Sequence, residues 1–186
     1  MQQISSILRT LTEKLYKKNP SELKKNIHQT IESRLNQIFN CPPDKHMAEL
    51  DHKDGTDAIL LGFEPDYKGD RIFAMMYGLY TMIHASYNSK CELFIPDSLD
   101  EQALYNSARN IEIFVWRLNN RSKEDGQPLI AANSLEGEVK NLSYERMFGK
   151  LISLQDTMAL IVSNRTGRII KEAVLFTGMA FLPIGL

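Results

Sequence analysis

Tyr105, Arg109, Glu112 and Trp116 stand at i, i+4, i+7 and i+11 in "LYNSARNIEIFVWRL". A helix there sets two charges between two aromatic rings on one face. Its other faces are largely apolar, and a charge drawn into such surroundings needs a partner. Arg109 and Glu112 can pair with each other, and Arg109 can stack on a ring. Two uses fit the pattern. One is a buried polar network that fixes helix register, which is the expected one. The other is a ligand groove in which Arg109 holds an anionic group and Trp116 supplies a surface. His84, on an apolar stretch, can join either, and a hydrogen-bonded core histidine is expected before a catalytic base.

Metal chemistry has one local candidate, the loop "HMAELDHKDGTD" with His46, Asp51, His52, Asp54 and Asp57. An EF-hand reading fails, because placing Gly55 sixth leaves Leu50 first and Leu61 last, where carboxylates are required. The two histidines are six residues apart rather than one helical turn. A solvated loop without metal is expected. The two cysteines, Cys41 and Cys91, lie in no CxxC or Cys/His motif, so no structural zinc site is expected from spacing. They are expected as separate buried thiols; in an exported protein they would close one disulfide of about 50 residues, adding on the order of 4 kcal/mol.

Cofactor and nucleophile motifs are lacking. "YKGDR" has neither the glycine spacing nor the Lys-Ser/Thr pair of a phosphate loop. No Gly-x-Ser-x-Gly elbow accompanies the serines, histidines and aspartates. Asp66, Gly69 and Asp70 precede an apolar run and are expected to turn the chain and cap a helix. Lys plus Arg number 22 against 23 acids, a net charge of −1, which speaks against a nucleic-acid partner.

These residues must be positioned by helices. Ile4, Ile7, Leu8, Leu11 and Leu15 mark an amphipathic helix. After "NP", a second stripe of Leu23, Ile27, Ile31, Leu35, Ile38 and Phe39 predicts another, with Lys24, Lys25, Glu32 and Arg34 on its solvated side. Two prolines then break the chain. Residues 70–88 are apolar nearly all round, which places this helix at the centre of a bundle; it is short for a membrane span. Ser98 and Glu101 form a capping box for the next helix, with Leu104, Ala108, Ile111, Val115 and Leu118 inward. Residues 119–141 form a long polar connection. The following helix turns Phe148, Leu151, Leu154, Met158 and Ile161 inward, and "RTGRIIKEAVLFTGMAFLPIGL" predicts a last helix broken near Pro183. The fold class is all-α, an irregular bundle of six or seven helices. Residues 1–40 form an N-terminal helical hairpin packed on a main domain, 55–186.

The segments "LLGFEPDYKGDRIFAMMYGLYTMIHASYN", "LDEQALYNSARNIEIFVWRL" and "NLSYERMFGKLISLQD" resemble a group of uncharacterised helical proteins from gammaproteobacteria. The resemblance covers roughly residues 55–162, implies an export or lipoprotein-type leader, and assigns no catalytic residue. Residues 1–25 here lack the continuous apolar core of a signal peptide. The expected function is therefore that of a non-enzymatic helical domain of the bacterial cell envelope acting through protein or membrane-surface contacts. The alternative is a small-molecule binder or enzyme with a pocket near Arg109, Glu112 and Trp116. A periplasmic or envelope location follows if a leader has been removed, and a cytoplasmic one otherwise. The uncharged C-terminal stretch is expected to be buried, or else to serve a protein partner, a homo-oligomer contact or a membrane surface.

Overall fold

The structure is a computed structural model that describes residues 1–44, 47–94, 98–123, 125–132, 142–173 and 180–184. Among these, the chain forms seven α-helices and no strand: α1 (Gln2–Lys18), α2 (Pro20–Lys24), α3 (Ile31–Ile38), α4 (Gly55–Phe63), α5 (Arg71–Ser86), α6 (Glu101–Asn120) and α7 (Ser143–Thr166). A 3-10 turn, Ala48–Leu50, precedes α4. The fold is the expected all-α bundle.

Helix α5 is its centre. Ile72 through Tyr80, Met82 and Ile83 are all buried, so every face of the helix meets protein. Asp70 starts it, its Oδ1 accepting from Phe73 N–H at 3.0 Å, which satisfies one of the free donors of the first turn. Helix α4 lies against α5 at very short range. A Cβ on Gly78 would stand 2.5 Å from the Gly55 carbonyl oxygen and 2.7 Å from Ile59 N, so only glycine admits this approach. Helix α1 buries Ile4, Leu8, Leu11 and Leu15 in the same core as α5, so the N-terminal helices and the rest share one hydrophobic interior.

Several expectations need correction. The second amphipathic helix is two pieces, because the chain turns between Lys25 and Gln29. Ile27, expected on the inner stripe, is 89% exposed there. Arg34, expected on the solvated side, is only 1% exposed. Helix α6 is capped by Asp100, which accepts from Ala103 N–H at 2.8 Å, and not by the Ser98–Glu101 box. Helix α7 buries Phe148, Leu151, Gln155, Ala159 and Val162 and leaves Ile161 outside. The buried set steps by three, four, four and three residues, close to the helical period, whereas the expected set steps by three, three, four and three and so drifts off the inward face by Ile161. No last helix follows within the described residues: α7 stops at Gly167, which has φ +69°, and residues 168–173 and 180–184 are irregular. Residues 174–179 of that expected helix, and His46, lie outside the described residues. No described helix is long and apolar enough to cross a membrane.

Candidate functional site

The expected stripe on α6 is built largely as a tie between helices. Arg109 Nη2 is 2.8 Å from Asp156 Oδ2 on α7 and 3.1 Å from Glu112 Oε1, and the guanidinium carbon lies 5.0 Å from the Tyr105 ring centroid. Burial raises the Glu112 carboxyl above its ordinary range, the Arg109 charge pulls it back, and Asp156 adds to the rise. Tyr105 Oη accepts from Ala173 N–H at 3.1 Å, pinning the segment after α7. Trp116 is half-buried one helical turn beyond Glu112. Tyr105, Arg109 and Glu112 are thus brought together, while His84 lies elsewhere, on α5.

A second cluster, of which the sequence singles out only the Asp70 cap, gathers at the start of α5. Asp70 Oδ2 accepts from Tyr16 Oη at 2.8 Å and lies 3.3 Å from Arg34 Nε. Arg34 Nη1 reaches Glu49 Oε1 at 2.8 Å, and its guanidinium sits 4.1 Å from the Phe73 ring centroid. Glu22 Oε2 accepts from Arg71 N–H at 2.9 Å and pairs with Lys25 at 2.7 Å. Arg71 turns back to donate to the carbonyls of Gly62 (2.8 Å) and Pro65 (2.8 Å), closing the end of α4. Burial pushes the Asp70 carboxyl up to about 6, against the hydrogen bonds from Phe73 N–H and Tyr16 and the Arg34 charge, which lower it. Burial, with the Asp70 charge next, drives the Tyr16 hydroxyl far above its ordinary value. The "KGDR" knot is therefore a junction that caps one helix, closes another and joins α1, α2 and α3 to them.

His84 marks a third place. Cys41 and Cys91 are joined in a disulfide with Cα atoms 5.8 Å apart, correcting the expectation of two separate thiols. His84 Nε2 lies 3.6 Å from Cys41 Sγ and 4.0 Å from Cys91 Sγ, while its ring stacks on Tyr80 at 5.9 Å between centroids. The loop after α3 and the loop after α5 are thereby stapled over the last turn of α5. His84 also lines a hollow of about 520 Å³ with Asp54, Asp57, Thr81, Met82 and Leu182. Thr81 Oγ1 accepts from Gly55 N–H at 2.8 Å at its floor. The C-terminal segment forms one wall: Leu182 N–H donates to Asn110 Oδ1 at 2.6 Å, and Asn110 Nδ2 donates to the Leu182 carbonyl at 2.8 Å. Such a space admits a small molecule by size. Asp51, His52, Asp54 and Asp57 do not gather into a three-ligand group with one another among the described residues.

The fourth feature is apolar. Leu93, Phe94, Leu99, Met158, Ile161 and Val162 line a shallow hollow of about 270 Å³ between the Cys91 loop and α7. Phe94 is 66% exposed and Ile161 53% exposed. The sequence hides this face because the spacing of Ile161 fits an inward stripe, and it hides the sulfur cluster because Cys41, His84 and Cys91 meet only through tertiary packing. The one available signal was that the two cysteines bracket the central helix. No protein-family model matches the chain, and neither a curated protein nor a solved structure matches it.

Proposed function

We propose that this chain is a non-enzymatic helical domain of the bacterial cell envelope that works by contact, through the apolar face of the Cys91 loop and α7. The observation that supports this most is that the Cys41–Cys91 disulfide holds the very loop that presents Leu93 and Phe94 to solvent beside Ile161. Disulfides persist in oxidising compartments such as the periplasm, and are rare in reducing cytosol. Exposed apolar side chains grouped around a hollow mark contact sites, whereas scattered ones carry no such meaning. The C-terminal apolar segment is less suited to the same role, since its described part is hydrogen-bonded along α6. A ligand groove around Arg109 has less support too, because that guanidinium is already engaged by Glu112, Asp156 and Tyr105.

A photo-reactive side chain placed at Ile161 in the native cell tests the contact. We expect a discrete protein adduct from position 161, none from the exposed Glu32 on α3, and loss of the adduct in Phe94→Ser. An adduct with lipid alone would move the contact to a membrane surface. No adduct at 161, or an equal one at 32, would contradict the proposal.

A further inference from the structure

The geometry points to a redox-gated metal site: once the disulfide is reduced, Cys41, Cys91 and His84 form a Cys2His site for a zinc-class ion. The three ligating atoms already lie within 4.8 Å of one another. Zinc bonds of about 2.3 Å to sulfur and 2.0–2.1 Å to nitrogen, at tetrahedral angles, hold a sulfur and a nitrogen about 3.6 Å apart. His84 Nε2 stands 3.6 Å from Cys41 Sγ and 4.0 Å from Cys91 Sγ, so the imidazole is in place before any ion arrives. It is held there by burial on the central helix and by stacking on Tyr80. The only large adjustment is between the sulfurs, which must part to about 3.8 Å, the separation of two ligands in the same tetrahedron. Breaking their bond permits this through side-chain rotation, since both cysteines sit in loops and Cys41 is exposed.

The donor set suits the ion. Two thiolates and a neutral imidazole balance the charge of a divalent cation, and three protein ligands leave a fourth position for water. Solvent reaches the place, because His84 lines one hollow and both cysteines line another of about 580 Å³. Reduction by a phosphine breaks the S–S bond, oxidises the phosphine to its oxide, and takes the oxide's oxygen and both thiol protons from one water. The ion then displaces those two protons. Disulfide and metal are mutually exclusive, so the oxidised chain is closed to the ion and the metal shields the thiols from reoxidation. This inference does not depend on the apolar face or on the compartment.

Cobalt(II) is the probe, added to the full chain after phosphine reduction under anaerobic conditions and removal of the phosphine. We expect one equivalent to bind with a thiolate-to-cobalt charge-transfer band and intense tetrahedral visible absorption, both displaced by zinc. The oxidised chain should show neither. Cys41→Ser and Cys91→Ser should each weaken the charge-transfer band, and reoxidation should slow when zinc is present. His84→Phe keeps a ring against Tyr80 and should lower affinity by more than the ~10–100-fold that loss of an outer-shell partner costs. No cobalt absorption in the reduced chain, equal binding by the oxidised chain, or an unchanged spectrum and affinity in His84→Phe would overturn the site. So would a reduced chain that loses its helical circular dichroism and does not recover it with cobalt, because the site requires α5 to present His84.

Discussion

At Asp70, taking a carboxylate out of water costs more than its partners return. Phe73 N–H, Tyr16 and Arg34 all favour the charged form, yet burial still pushes the carboxyl up to about 6. The unfolded chain gives up this proton near pH 4, whereas the native state keeps it until about pH 6. Between those values the native state binds more protons. Asp70's contribution is therefore complete below about pH 4 and is lost as pH rises through 6. Over that window the loss is of the order of 3 kcal/mol. Asp70→Asn removes the titration, so the stability gap between wild type and variant should narrow as pH rises from 4 to 6. Urea unfolding at closely spaced pH values measures it; parallel curves would count against the assignment. Half of this junction was legible in sequence. An acid before an apolar helix reads as a cap, and Asp70 is one. Arg34 was not legible, because an arginine among Lys24, Lys25 and Glu32 reads as solvated until a distant Asp70 and Phe73 supply its partners.

Helix α5 was the plainest element in the sequence, since a run apolar on every face must be central. What sequence could not show is how α4 reaches it. Gly78 of α5 lets the α4 backbone approach closely, and a Cβ there would fall within 3 Å of the Gly55 carbonyl, of Ile59 N and of Ile59 Cγ1. Two of those atoms are backbone, so relief requires moving a helix and not a side chain. Gly78→Ala should therefore destabilise by about 1–3 kcal/mol, despite alanine's better helix propensity. A urea midpoint equal to or above wild type would refute the close approach. Membership of an inward stripe is less legible than the stripe itself. Ile27 and Ile161 both fit a stripe by spacing, but the break after α2 and the rotation of α7 carry them outside. Periodicity says that a face exists, and only the neighbouring helices decide which residues occupy it.

For the whole molecule, the described helices share one interior, and the disulfide crosses the end of α5 beside His84. The staple closes a loop across a sequence separation of 50, from the end of α3 to the loop before α6. A cross-link of that length stabilises by about 4 kcal/mol in the chain-entropy picture. It also fixes the loop bearing Leu93 and Phe94 beside α7, so the apolar face proposed for contact and the disulfide are parts of one arrangement. The three- and four-residue spacing of apolar side chains made an all-α protein legible, but the cysteines gave no pairing, because their meeting depends on two loops converging over a helix end. The proposed envelope role stands or falls with the oxidation state of those two residues in the cell. Protein taken directly from its native cells into acid, then alkylated before and after reduction and weighed intact, measures that state. The expected result is no alkyl group before reduction and two after it; two alkyl groups before reduction would contradict the disulfide-closed domain.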